Sequence, residues 1–94
     1  MVLNYTITDA DGYGAYPAAA FPSIVASGAE VLVADYASGV VEGEPGAVTI
    51  VLKFDSKDAA QAWYDSPEYA AAKPMRLAAS EGIAVLCDGF VMPG

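Results

Sequence analysis

The sequence predicts an α+β domain of ferredoxin-like topology, ordered strand, helix, strand, strand, helix, strand, and three observations carry that expectation. Residues 2–8 alternate Leu3, Tyr5 and Ile7 with Asn4, Thr6 and Thr8, the period of a strand buried on one face. Two apolar runs, AEVLVADY and AVTIVLKF, are separated by the turn-rich SGVVEGEPG, as a pair of adjacent strands requires. The stretch after Phe54 has helical spacing, with Asp58, Gln61 and Asp65 on one face and Ala59, Ala62 and Trp63 on the other.

Taken in order, the first strand covers 2–8 and gives way at Asp9, a capping residue, to a pattern in which Tyr13, Tyr16 and Ala20 recur at helical spacing. Gly12, Gly14 and Pro17 weaken that helix, so an interrupted one is expected, restarted by Pro22 and ended by Gly28. The second strand is placed at 29–36 and the third at 47–54. The nearly all-apolar run from Val48 to Leu52 suggests a central strand covered on both faces. Asp55 or Ser56 caps the amphipathic helix, and Trp63 anchors its buried side. Ser66-Pro67-Glu68 reads as a cap followed by a proline at the first helical position. Pro74 interrupts the chain again by removing a backbone donor, and residues 75–80 form a last short helix closed by Gly82. The fourth strand is expected at 83–88, with Cys87 as a small buried strand residue. The result is an antiparallel four-stranded sheet with its helices on one face and a bare apolar face on the other. A second copy is the simplest cover for that face.

Composition narrows the function. Ninety-four residues make one domain, 1–94, and the chain is 55% hydrophobic and 17% charged, so it should fold rather than remain disordered. No apolar run reaches membrane-spanning length and the N-terminus lacks the pattern of a signal peptide, which predicts a cytoplasmic protein without membrane contact. Four Lys plus Arg against twelve Asp plus Glu give a net charge of −8, so phosphate backbones are repelled and nucleic acid is not an expected partner. With no His and a single Cys, the chain lacks Ser-His and Cys-His nucleophilic pairs, His-ligated zinc or haem, and any internal disulfide. No cofactor and no metal are expected, and any chemistry falls to carboxylates, Tyr or Lys.

Two motif-like stretches fail on inspection. DADGYG places Asp9, Asp11 and Gly14 at EF-hand positions, but the position that needs a bidentate Glu is Ala20. Gly12 and Gly14 after a strand hint at a dinucleotide loop, but Pro17 stands where the third Gly belongs and the chain is too short for that sheet.

The combination of Asp9, Tyr13 and Tyr16, then Glu42-Gly43, then AQAWYDSPEYAAAKPMRLAA resembles the small bacterial family of domain of unknown function 1330, within the dimeric α+β barrel superfamily. The resemblance covers nearly the whole chain, and AWYDSPEY followed by KPMRLAA is its specific part. It implies the ferredoxin-like fold and a homodimer, and it implies no particular reaction.

Tyr13, Tyr16, Glu42, Trp63, Tyr69 and Arg76 are the candidate ligand-binding residues. Arg76, the only Arg of an acidic chain, either completes a structural ion pair, with Glu42 as the expected partner, or holds an anion bidentately. Two readings follow. In one, a dimeric protein binds a small, partly apolar molecule, anionic where it meets Arg76, in a pocket between sheet and helices. In the other, the aromatics are consumed by packing and the protein is a non-catalytic assembly or interaction module with no ligand. A cavity of about 300 Å³ or more with Arg76 on its wall favours the first, and a filled interior the second.

Overall fold

The computed structural model describes residues 1–90. Its strands are β1 (Val2–Ile7), β2 (Glu30–Asp35), β3 (Val48–Lys53) and β4 (Ser80–Val85), and its helical segments are α1 (Ala10–Tyr13), α2 (Tyr16–Ala26), α3 (Lys57–Tyr64), α4 (Pro67–Ala70) and α5 (Lys73–Ala79). The strands form one antiparallel sheet in the order β2-β3-β1-β4, the ferredoxin-like arrangement that the alternating pattern predicts. Among these residues no helix is long and apolar enough to cross a membrane.

Leu3 and Tyr5 of β1 and Val48 and Leu52 of β3 point into the core, where they meet Tyr13, Tyr16, Ala20 and Ile24 from the first helical region and Trp63, Tyr69, Ala72 and Ala79 from the second. Caps start three of the helices as read from sequence. Asp9 Oδ1 accepts from Gly12 N at 3.1 Å, Ser56 Oγ from Ala59 N at 3.0 Å, and Ser66 Oγ from Tyr69 N at 3.2 Å. Pro67 and Pro74 each sit in a first helical turn, where the missing donor has no intrahelical partner to lose. Gly28, at φ +78°, turns the chain out of α2 in the left-handed region open to glycine.

Several expectations shift. The break in the first helical region falls at Gly14 and Ala15, and Pro22 lies inside α2 instead of restarting it. On α3 the buried positions are Ala60 and Trp63, one turn apart, while Ala62 is exposed. β3 is central but covered on the helix side alone.

The largest shift is in β4, which begins at Ser80, directly after α5, and ends at Val85. Thr8 N donates to the Ala79 carbonyl at 2.8 Å and fixes the start, with Ile7 paired to Ser80. Val85 pairs with Val2, where β1 begins, so the ladder has no partner strand beyond that point. Cys87 therefore lies past the strand and is exposed, and Gly82 is a strand residue instead of a helix stop. Its backbone crosses β1 so closely that a Cβ there would run into the Asn4 carbonyl oxygen and lie 2.5 Å from Tyr5 Cα.

The second strand carries a bulge. Val31 pairs with Leu52 but Val33 pairs with Val51, leaving Leu32 as an extra residue. The side-chain parity of β2 changes across it, so Val31 and Ala34, three apart, both face the helix side. The open face carries the exposed apolar side chains Leu32, Val33, Ile83 and Val85. On that same face Asn4 clasps the segment before β3: its amide nitrogen donates to the carbonyls of Gly46 and Val48, both at 3.1 Å, while Gly46 N donates to its oxygen at 2.8 Å.

The close crossing at Gly82 makes a sharp test. Gly82→Ala should destabilise the domain by about 3 kcal/mol through forced separation of β1 and β4. Gly39→Ala, in open space, should stay within about 0.5 kcal/mol. Urea denaturation of the two variants decides, and equal midpoints would mean that β1 and β4 leave room for a methyl group at this crossing.

Candidate functional site

Between α2 and the β2-β3 half of the sheet lies a cleft of about 450 Å³. Its floor is Leu3 and Tyr5 of β1 with Ile50 and Leu52 of β3. Tyr16, Pro17, Ala20, Phe21 and Ile24 of α2 form one wall, Val31 and Ala34 of β2 with Tyr36 just beyond it form the other, and Trp63 closes an end. The lining residues are apolar apart from three tyrosines, Tyr5, Tyr16 and Tyr36, and Trp63. Trp63 is held rather than free: its Nε1 donates to Ser23 Oγ at 3.0 Å, and Ser23 Oγ donates to the Ala20 carbonyl at 2.6 Å. An indole donor buried at a cleft end is thereby satisfied without a ligand.

The tyrosine hydroxyls form two chains. In one, Tyr5 and Tyr13 share a hydrogen bond of 2.6 Å and Tyr13 reaches Tyr36 at 3.3 Å. In the other, Tyr16 and Tyr69 share one of 2.7 Å, and Arg76 Nε donates to the Tyr69 oxygen at 3.3 Å. The rings of Tyr13 and Tyr16, 5.3 Å apart, join the two chains. Tyr69 has no exposed surface and lies 4.1 Å from the Trp63 ring.

Arg76 is 5% exposed, its guanidinium carbon 5.7 Å from the centre of the Tyr5 ring. Among the described residues its Nη2 is buried without a hydrogen-bond partner and no carboxylate pairs with it. The electron-rich Tyr5 face supplies part of what a counter-ion would. Burial pulls its pKa down, but the Tyr69 hydrogen bond and the surrounding tyrosines outweigh that and leave it above its ordinary value, so it keeps its charge. Burial, followed by the contact with Tyr69, pushes the Tyr16 hydroxyl well above the usual tyrosine range. Burial and the bonds to Tyr36 and Tyr5 do the same to Tyr13, and burial raises Tyr5.

The structure thus gathers most of the residues singled out in the sequence but ranks them differently. Tyr16 and Trp63 line the cleft, Tyr13 and Tyr69 stand one hydrogen bond behind its wall, and Arg76 stands behind Tyr69. Glu42 does not join them. It is exposed and borders a shallow acidic hollow with Glu44, Glu81, Asn4 and Thr6, so the expected ion pair with Arg76 is not formed. The reason is topological: Asn4 holds the segment after Glu42 on the open face of the sheet, and Arg76 lies under the helices. The sequence reading missed Tyr5 and Tyr36 as wall residues. The inward alternation of β1 marks Tyr5, whereas Tyr36 depends on the bulge at Leu32, which has no signature of its own in AEVLVADY.

The molecule is thereby an α+β protein of ferredoxin-like topology, with an apolar, tyrosine-ended cleft on the helix side of its sheet. A family model described as Domain of unknown function (DUF1330) matches residues 1–90, and the chain belongs to that family. No curated protein matches it.

The buried hydroxyls predict alkaline unfolding. Tyrosines of the unfolded chain ionise at about pH 10, while Tyr5, Tyr13 and Tyr16 are raised above that in the fold. Above this pH the native state holds more protons than the unfolded one, so stability is unaffected below it and falls as pH rises through it. Phenolate absorbance from these three should appear together with loss of far-UV circular dichroism. Smooth ionisation of all tyrosines in a still-folded protein would show the hydroxyls to be open to water.

Proposed function

We propose that this protein binds a small, largely apolar molecule in the helix-side cleft. One observation carries the reading: the cleft is unfilled by side chains, and its volume of about 450 Å³ falls within the range of about 300–1,000 Å³ usual for ligand sites. A core in which the aromatics were consumed by packing would leave no such space. The composition of the lining supports the same reading, because apolar walls with a few residues that carry polar groups, here Tyr5, Tyr16 and Tyr36, are how such sites hold and orient a ligand. The binding residues are Tyr16 and Trp63 at the surface of the cleft, supported from behind by Tyr13, Tyr69 and Arg76. Glu42 has no part in it. The lone Cys, exposed and unpaired, suits a protein that works in the reducing cytoplasm.

Trp63 reports occupancy directly, being the only Trp and a cleft residue. A ligand of about ten heavy atoms at roughly 0.5 kcal/mol per atom would bind with a dissociation constant on the order of a few hundred micromolar. A screen of small aromatic compounds should therefore change Trp63 fluorescence at millimolar concentration for at least one of them. Ala34→Phe, which fills the cleft from β2, should abolish the response. Silence across the screen, or a response indifferent to Ala34→Phe, would remove the reading.

A second proposal concerns assembly. Leu32, Val33, Ile83 and Val85 leave an apolar surface on the open face of the sheet, and a second copy of the chain would bury it by isologous contact. Light scattering after size exclusion should give twice 9.6 kDa, and Ile83→Lys should return the particle to 9.6 kDa. A wild-type monomer at micromolar concentration would exclude this contact.

A further inference from the structure

The hydrogen bonds behind the cleft run in one direction. An arginine can only donate, so Arg76 Nε gives its proton to the Tyr69 oxygen. Tyr69 is wholly buried, and among the described residues its other polar neighbour is Tyr16. If Tyr16 donated to Tyr69, the Tyr69 proton would have no acceptor in a dry interior, an expensive arrangement. Tyr69 therefore donates to Tyr16. The Tyr16 oxygen is then occupied as an acceptor and its own proton remains to be given. No acceptor for that proton stands among the described residues, and Tyr16 lines the cleft. A chain that begins at a charged donor polarises each bond in turn, so its last hydroxyl donates more strongly than an isolated tyrosine.

We propose that the cleft takes an apolar molecule carrying a neutral carbonyl oxygen, seated on the Tyr16 hydroxyl, with Arg76 acting through Tyr69 as a positioning residue. This rests on the cleft being a ligand site. A carbonyl fits better than a carboxylate because Arg76 does not border the cleft. A full negative charge would lose its water against apolar walls with no ion to meet it. A tyrosine is already protonated at neutral pH, and burial raises Tyr16 further, so its hydroxyl is a donor there.

The test uses the full chain and three probes of similar size: acetophenone, ethylbenzene, which lacks the oxygen, and benzoate, which carries a charge. Binding is followed by protein NMR and by the infrared carbonyl stretch of bound acetophenone. Acetophenone should bind with its stretch moved to lower frequency. Tyr16→Phe should weaken it about tenfold and abolish the frequency shift, while ethylbenzene changes by less than about twofold. Tyr69→Phe leaves the Tyr16 hydroxyl in place but detaches it from Arg76. It should weaken acetophenone about threefold and leave a smaller frequency shift. If acetophenone and ethylbenzene both bind but acetophenone ignores Tyr16→Phe, the cleft survives as a site and the carbonyl seat is lost. If none of the three probes binds, both readings fall. Benzoate binding more tightly than acetophenone, with that advantage lost in Arg76→Gln, would show direct ionic contact and overturn the relay. Should Tyr16→Phe fail to fold, the wild-type stretch alone decides, since an unshifted carbonyl has no donor on it.

Discussion

Tyr69 is the residue on which the rest of the helix layer depends. It sits in the one-turn α4, entered through the Ser66-Pro67 cap, and from there its ring stacks on Trp63 of α3 while its hydroxyl joins Tyr16 of α2 to Arg76 of α5. Four helical segments are thus tied at one side chain. The two prolines flanking it are the means of bringing it there. Each starts a short helix where a longer one would carry the ring past the core, so the unusual density of proline and aromatic residues in AWYDSPEYAAAKPMRLAA is the requirement of a corner.

Electrostatics follow from the same corner. A chain of net charge −8 has four basic side chains and withdraws one of them, Arg76, into the interior. The surface is left to three lysines, and of these Lys73 is bound to the Tyr64 carbonyl at 3.0 Å and Lys57 to Asp88 at 3.4 Å. The exterior is therefore more acidic than the composition alone indicates. What holds the buried charge is a set of tyrosine dipoles and one aromatic face, a softer environment than an ion pair and one that leaves the guanidinium free to polarise its neighbours.

Much of this architecture was legible in the sequence because it rests on local rules. The alternation of β1, the Asp9, Ser56 and Ser66 caps and the prolines at helix starts depend on neighbours a few residues away. What was hidden depends on partners far along the chain. The start of β4 is set by Thr8 bonding to Ala79, the exposure of Cys87 by where β1 begins, and the separation of Glu42 from Arg76 by an Asn4 clasp on the opposite face. The candidate site divides in the same way. Aromatic residues at helical spacing identified Tyr13, Tyr16 and Trp63, whereas Tyr36 faces the cleft only because β2 contains one residue more than its partner, and the cleft itself is an absence of atoms that no residue pattern records.

The Asn4 clasp bears on how such a protein can change. A side-chain amide that both donates to and accepts from Gly46 imitates a peptide group, so the sheet holds the end of the connection before β3 by a fixture belonging to β1 and not to the connection. Residues upstream of that fixture, Val40 to Glu44 among them, are exposed and carry no part of the helix-side core. The acidic segment is in effect a detachable appendage. Its length and chemistry can drift while the sheet, the tyrosine chains and the cleft stay as they are, which makes it the place where related chains can acquire different surfaces on a common interior.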